Sequence, residues 1–365
     1  MAKHTVLVLG AGKIGSLIAC MFADSGDYEV HLGSLHLADA EQVARDLGLP
    51  DIIPLQLDAS DTEALHACLA GRRFDAVVSS LPFYCNARVA DIAADLSVNY
   101  FDLTEDVAVT EHIRRLSVGK RTVFMPQCGL APGFISIAAE ALIGHFEEVE
   151  SVKMRVGALP VNPNNALKYS LTWSTDGLIN EYGNTCYGLE GGQITALQPL
   201  EGFETISLDG VLYEAFNTSG GLGTLADTYQ GRIKTMNYKT LRYPGHCKKI
   251  KLLMNDLKLN EDRPTLKRIL ENAIPKTKQD VVLVYVAVAG MRRGHYFEEN
   301  VVKKVYPAQI AGQQWSSIQV TTAAGLCAVV DIVLHRPGEY HGFVRQEQIK
   351  LMEFLANRFG RYYDV

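Results

Sequence analysis

The run Thr5-Val6-Leu7-Val8-Leu9 passes directly into Gly10-Ala11-Gly12-Lys13-Ile14-Gly15, and the residues after it carry helical apolar spacing. This order of strand, glycine turn and helix constrains the chain more than any other feature. Each glycine has its own task. Gly10 makes the tight turn, Gly12 lets backbone approach a pyrophosphate, and Gly15 lets helix and strand pack closely. The helix start at Lys13 and Ile14 presents free N–H groups and a partial positive charge to phosphates. A glycine triplet alone is common; in this setting it predicts a dinucleotide site.

The pattern then repeats. Strands are expected at residues 5–10, 28–33, 52–57, 74–80, 99–104 and 121–126, separated by segments with helical spacing such as Ile14, Leu17, Ile18, Met21 and Phe22. Six strands with helical crossovers make an α/β fold, a doubly wound parallel Rossmann sheet. The rhythm stops at Gln127-Cys128-Gly129-Leu130-Ala131-Pro132-Gly133. Beyond it, residues 152–157, 167–173 and 281–289 read as strands of a mixed α/β domain with an extended sheet. The tail regains helical spacing at Leu326, Val329, Val330 and Val333. The expected organisation is a dinucleotide-binding domain at residues 1–133, a substrate and dimerisation domain at 134–320, and C-terminal helices at 321–365 that return to the first domain.

Composition narrows the class. With 365 residues, 47% hydrophobic, and a formal charge of -6, the chain has the size of two domains and lacks the basic excess of non-specific nucleic-acid binding. No basic segment precedes the first apolar run, and the apolar stretch at 281–290 is about half a membrane helix. Neither a membrane nor a nucleic-acid partner is expected. Seven cysteines without a CxxC pair suggest free thiols in a reducing cytoplasm and no metal site.

Cofactor choice is written at the end of the second strand, where an acid selects NAD through the ribose hydroxyls. Here the segment reads His31-Leu32-Gly33-Ser34-Leu35-His36, with Ser34 in the place of the carboxylate. Ser34 and His36 can donate to a 2′-phosphate, which favours NADP and leaves NAD open. Ligands in such sheets lie beyond the carboxyl ends of the strands, so Gly33, Asp58, Ala59, Ser80 and Leu81 join the candidate cofactor set. Asp102 and Glu105 follow the fifth strand. For Asp58 and Asp106 a helix cap or turn is an equal reading.

The segments Cys128-Gly129-Leu130-Ala131-Pro132-Gly133-Phe134, Leu171-Thr172-Trp173-Ser174, Asn217-Thr218-Ser219-Gly220-Gly221 and Thr240-Leu241-Arg242-Tyr243-Pro244-Gly245-His246 together resemble the saccharopine dehydrogenase family. Within it the chain looks most like the lysine 6-dehydrogenase branch. The resemblance covers nearly the whole chain. It implies a Rossmann domain, a substrate domain whose sheet closes over the nicotinamide, and NAD(P)-dependent chemistry at a C–N bond of a lysine-like skeleton. Lysine 6-dehydrogenases similar to this chain carry an acid where Ser34 stands, so the chain departs from them there. The tail at Gly342-Phe343-Val344-Arg345 also lacks a proline of the family pattern.

Amine oxidation needs a neutral nitrogen and therefore a general base. Asp102 is the first candidate, Glu105 the second, and His246 the third unless it is a packed core histidine. Arg242 suits a carboxylate head group because its guanidinium pairs in a fork; a structural salt bridge is the alternative. Thr218 and Ser219 can add donors. Tyr84 and Trp173 line an apolar stem or sit in the core, and Cys128 lines the site without acting as a nucleophile. The expected reaction is amine to imine to semialdehyde, as in lysine 6-dehydrogenase. Its rival is a reductive condensation of the saccharopine dehydrogenase or carboxynorspermidine synthase type, with Arg292 and Arg293 as a second clamp. A third reading is a non-catalytic nucleotide sensor. A homodimer or larger homo-oligomer is expected.

Overall fold

Alternating strands and helices fill the first third of the computed structural model, which describes residues 3–364; positions 1, 2 and 365 of the expected domains lie outside it. The chain runs β1 (His4–Leu9), α1 (Lys13–Asp24), β2 (Tyr28–Ser34), α2 (Leu37–Leu47), β3 (Ile52–Gln56), α3 (Thr62–Ala70), β4 (Ala76–Ser79), α4 (Phe83–Asp95), β5 (Asn99–Asp102), α5 (Val107–Leu116), β6 (Val123–Met125) and α6 (Phe134–Ile143). It continues through β7 (Glu148–Pro160), α7 (Thr175–Gly183), β8 (Cys186–Glu190), β9 (Gln193–Leu197), β10 (Glu204–Leu208), β11 (Val211–Asn217), α8 (Leu225–Tyr229), β12 (Thr235–Arg242), α9 (His246–Lys251), α10 (Arg263–Ala273), β13 (Asp280–Arg292) and β14 (His295–Val305). Last come β15 (Ala308–Ile310), β16 (Gln313–Trp315), α11 (Ser317–Leu334), β17 (Gly342–Phe343) and α12 (Leu351–Ala356).

Two compact units divide the chain. One holds residues up to Phe134 together with Gln309–Trp315 and Gln319–Asp364, and the other holds Ile135–Ala308 and Ser316–Ile318. The first unit is built on a seven-stranded sheet in the order β17-β6-β5-β4-β1-β2-β3, and every pairing in it is parallel. Chain order reverses between β1 and β4, so the carboxyl ends of these two strands flank the crevice in which doubly wound sheets bind ligands. The strands are continuous apolar runs because helices cover both faces: Val6, Leu7, Val8 and Leu9 are at most 1% exposed. Leu7, Leu9, Leu65, Val77, Val89, Ile113 and Phe124 share one core cluster. Each such aliphatic side chain contributes roughly 1.5–3 kcal/mol when removed from water.

One expectation about this unit needs correction. The tail is not wholly helical, since Gly342–Phe343 adds a seventh strand beside β6. Helix α11 has a mean hydropathy of 1.8 and the length of a membrane span, but 83% of it is buried inside the protein. Its apolar character on all sides is that of a core helix.

The second unit is a mixed eight-stranded sheet, ordered β10-β11-β12-β7-β13-β14 with the β8–β9 hairpin attached to β12. Period-two alternation sends its side chains to separate cores. On β11, Tyr213 and Ala215 join the cluster around Leu159, Leu241 and Leu283. Phe216, one residue on, joins the cluster of Tyr169, Tyr182, Ile250 and Leu266. Residues 167–173, expected as a strand, are a loop. Lys168 has φ +51, and Asn165 Nδ2 donates to Tyr169 O at 2.6 Å. That turn breaks the extended backbone, although Leu167, Tyr169 and Leu171 keep alternating apolar positions.

Candidate functional site

In the first unit the three glycines have three different surroundings. Gly10 has φ +103, and its N–H donates to Gly33 O at 2.8 Å. A Cβ on Gly15 would stand 1.8 Å from Gly10 O, so only glycine lets α1 lie this close to the turn. A Cβ on Gly12 would meet nothing within 4 Å. That space lies open at the start of α1, whose N-cap Gly12 supplies no side-chain cap and whose first turn has no acid. The N–H groups at Lys13 and Ile14 thus keep their dipole end for an anion.

Around this turn several candidates have local duties instead. Ser80 Oγ donates to Leu9 O at 2.8 Å and to Gly10 O at 3.2 Å, pinning the turn to the end of β4. Leu81 packs beside it, and Gly33 gives room to Leu9 Cδ2. Asp58 is exposed, and its Oδ1 accepts from Ser60 N at 2.8 Å and Ser60 Oγ at 2.6 Å, which holds the carboxyl below its ordinary value. Ala59 is buried beside it. Ser34 ends β2, half-buried, and His36 caps α2 without a side-chain hydrogen bond, so the first N–H groups of α2 are open as well. A hydroxyl, an imidazole and an uncapped helix start fit a 2′-phosphate; the nearest acid, Asp39, is in the first turn of α2. Tyr84 is 72% exposed on α4, not in the core.

The carboxyl end of β5 carries the candidate base. Asp102 is fully buried. Its Oδ2 accepts from Tyr100 Oη at 2.7 Å, and its Oδ1 accepts from Thr104 N at 2.9 Å and Gln127 N at 3.0 Å. Its main-chain oxygen accepts from Cys128 N at 2.8 Å. Burial raises the carboxyl to about 6 even though the three donors oppose it. Asp102 therefore braces the loop that follows β6, and this corrects its place as first candidate for a base that must reach substrate. Glu105 is only half-buried; burial, with Asp106 and Asp102 nearby, pushes its carboxyl above the ordinary value. Cys128 is buried, donating to Met125 O at 3.0 Å and accepting from Gln346 Nε2 at 3.3 Å, and burial holds its thiol protonated. The loop itself has a cis Ala131-Pro132 bond, and Phe134 N donates to Gly129 O at 3.0 Å.

In the second unit Arg242, at the end of β12, is 3% exposed. Its Nε donates to Tyr182 Oη at 2.8 Å, its Nη1 to Leu241 O at 2.9 Å and to Thr240 Oγ1, and its Nη2 lies 3.6 Å from Glu181 Oε2. The guanidinium also stacks over Tyr169 at 5.0 Å. Every nitrogen is engaged within the unit, so the expected carboxylate fork is here a buried strut. His246 is corrected likewise: Nδ1 meets Leu167 O at 2.8 Å and Nε2 meets Tyr182 Oη at 3.0 Å. Burial and the Arg242 charge push it down to about 3, so it stays neutral and packed. Trp173 Nε1 donates to Tyr169 Oη at 3.0 Å, and Ser219 Oγ donates to Asn180 O at 3.0 Å. The hydroxyls of Thr172 and Thr218, in contrast, are buried without a hydrogen-bond partner among the described residues. Arg292, expected as half of a second clamp, instead pairs with Glu299 at 3.0 Å.

Sequence reading missed Tyr100, Gln127, Gln346, Tyr169, Tyr182 and Glu181. Tyr100 and Asp102 are two apart on a strand and so share a face, a signal that was present. Tyr182 and Glu181 sit on a short helix with no motif around them.

Comparison with known proteins agrees with this geometry. The saccharopine dehydrogenase NADP binding domain matches residues 6–122 and the saccharopine dehydrogenase C-terminal domain matches residues 129–361. A saccharopine dehydrogenase [NADP(+), L-glutamate-forming] of Pyricularia oryzae is 24% identical over 342 residues, covering 87% of this chain and 72% of that protein. Its namesake of Saccharomyces cerevisiae is 26% identical over 203 residues, covering 53% of this chain and 44% of that protein. The apo structure of the L-Glu-forming saccharopine dehydrogenase of Saccharomyces cerevisiae shares the fold, with a TM-score of 0.77, 18% identity and 94% coverage of both chains. An open glycine turn without a carboxylate at the end of β2, within a chain matched by both domains, leads to one conclusion: the chain belongs to the saccharopine dehydrogenase family, as an oxidoreductase whose NADP-binding domain spans residues 6–122.

Proposed function

We propose that this protein oxidises or reduces a C–N bond in an amino-acid substrate with NADP, in a reaction of the saccharopine dehydrogenase type. The observation that carries the reading is the nucleotide turn: open space at Gly12, and at the end of β2 a serine where an NAD-selecting acid would stand. The curated relatives are NADP-dependent by name. When bound, the nucleotide supplies hydride transfer. Gly10, Gly12, Lys13 and Ile14 would hold its pyrophosphate, and Ser34, His36 and the start of α2 its 2′-phosphate.

Glu105 has the better claim to the proton of the reacting nitrogen. It is half-buried, and burial raises its carboxyl above the ordinary value, the direction that suits a group that takes and returns a proton. Asp102 acts at one remove by tying Thr104, just before Glu105, to the Gln127 loop. Within the second unit, taken by itself, the hydroxyls of Thr172 and Thr218 are candidates for a substrate's polar group, because a buried hydroxyl without a partner among the described residues costs about 1–3 kcal/mol until something satisfies it. Arg242 shapes that region through Tyr169 and Tyr182.

Lysine 6-dehydrogenase activity is the second reading; the free-amine substrate would be smaller, but Ser34 departs from that branch. The test follows nucleotide absorbance on mixing the protein with saccharopine, lysine or diamines and either NADP or NAD. Turnover of saccharopine with NADP supports the proposal. Turnover of lysine alone, with NAD, supports the rival, and tight nucleotide binding with no turnover across the panel supports a sensor.

A further inference from the structure

At the β17 edge of the parallel sheet in the first unit, the loop between α5 and β6 meets the loop that leads into β17. Together they enclose a cavity of about 670 Å3, open to solvent beside the exposed Val118, Gly119 and His341. That is the size of a small-molecule site. Its lining includes Arg114, Lys120, Arg121, His341 and Arg345 and no aspartate or glutamate. In a chain with 41 acids against 35 Lys and Arg, so one-sided a wall departs from the average surface.

Structural duties account for only part of this charge. Arg114 lies in the last turn of α5, where a cation complements the helix dipole, and its Nη1 is 3.2 Å from Glu111 Oε1. Lys120 Nζ donates to Ala94 O at 3.1 Å, a neutral acceptor that leaves the ammonium charge uncompensated. Arg121 and Arg345 have no ion-pair partner among the described residues. Arg345 is half-buried all the same, and holding its guanidinium beside like charges costs free energy until an anion joins them. The backbone adds a further donor. Gly342 N and Val344 N turn inward, to Thr122 O and Phe124 O at 3.0 Å each, so the N–H of Phe343 between them points outward from the sheet edge, and Phe343 lines the cavity.

We propose that this cavity binds a polyphosphate chain, free or carried by a nucleoside triphosphate, at a site separate from the cofactor crevice. Guanidinium groups pair with phosphate oxygens through two parallel hydrogen bonds. Cations spread around a cavity of this size match two or three linked phosphates, whereas one phosphate reaches only some of them. The phosphates of the dinucleotide are not the ligand. Their glycine turn follows β1, four strands along from β17 in the order β17-β6-β5-β4-β1, or roughly 19 Å at about 4.8 Å per strand. With a net charge of -6 on the chain and the cations gathered in one concavity, a short polyanion fits better than the long backbone of a nucleic acid.

Calorimetric titration of the full chain, saturated beforehand with NADPH, tests the proposal with inorganic triphosphate, pyrophosphate and orthophosphate as probes. Triphosphate should bind tightest and orthophosphate weakest. R121S/R345S removes two charged donors and should weaken triphosphate binding at least about 100-fold, with NADPH affinity and melting temperature unchanged. R121K/R345K keeps the charge and loses the paired hydrogen bonds, so its affinity should fall about tenfold and lie between the two. An ATP arm separates the sources: affinity equal to that of triphosphate supports a site that reads phosphates alone, and tighter binding supports a nucleotide. Wild type that takes up no triphosphate with NADPH bound, triphosphate displaced by NADPH, undiminished affinity in R121S/R345S, or a single-stranded RNA that binds tighter than triphosphate would each overturn the proposal.

Discussion

Replacing Asp102 by Asn should remove a pH dependence of stability without disturbing the loop it braces. The amide keeps an oxygen to accept from Thr104 N and Gln127 N, and its NH2 would donate to Tyr100 Oη, whose proton can turn to Asn86 O at 3.4 Å. Burial raises the wild-type carboxyl from its ordinary 3.8 to about 6. A carboxyl raised in the folded state contributes stability that is fully present below its unfolded value and is lost as pH rises through the folded value. At about 1.4 kcal/mol per pH unit, the loss amounts to about 3 kcal/mol. Urea unfolding of both proteins between about pH 4 and about pH 8 should therefore show wild type falling by about 3 kcal/mol relative to D102N, with most of the change below about pH 6. Asp102→Ala, which orphans Thr104 N and Gln127 N, should be destabilised at every pH. Parallel stability curves for wild type and D102N, or a difference of opposite sign, would refute the reasoning.

Other consequences are equally direct. Glu105→Gln should lower kcat by roughly 10²–10⁴ with nucleotide affinity unchanged, and wild-type turnover in that variant would remove Glu105 as the base. Ser34→Asp should shift the ratio of NADPH to NADH affinity by at least about tenfold toward NADH, because a carboxylate repels a 2′-phosphate; calorimetry that finds the ratio unchanged places the ribose elsewhere. Arg242→Met breaks a buried ion pair and should cost about 3–5 kcal/mol in urea unfolding. Intact stability with a raised KM for the amino acid would instead restore the carboxylate clamp.

How far the sequence could be read follows from which interactions are local. Six parallel strands, the crevice between β1 and β4, the tight turn at Gly10 and the close helix packing at Gly15 were legible because strand, turn and helix signals lie within a few residues of one another. The two-residue strand at Gly342–Phe343 was not, since its only mark is pairing with β6, more than two hundred residues away. Residues 167–173 misled because their alternating apolar positions are real, while a left-handed Lys168 and the Asn165 side chain bend the backbone. Among the candidate site residues, residue type did not foretell the hydrogen-bond partners. Arg242 and His246 carry reactive groups, but Tyr182 and Glu181, distant in sequence, turn them into a buried network. Asp102 has the position of a base, and its three donors make it a brace. The orphan hydroxyls of Thr172 and Thr218 become visible only once every neighbour is placed.

Calorimetric titration of wild type and Gly12→Val with NADPH and NADH tests the central claim most directly. Gly12 has φ -78 and ψ -172, a conformation open to valine, and its Cβ position is empty, so the variant should fold normally while its side chain fills the place of the pyrophosphate. The predicted result is NADPH binding in wild type, weaker NADH binding, and neither in Gly12→Val at an unchanged melting temperature; undiminished NADPH affinity in Gly12→Val would contradict the account.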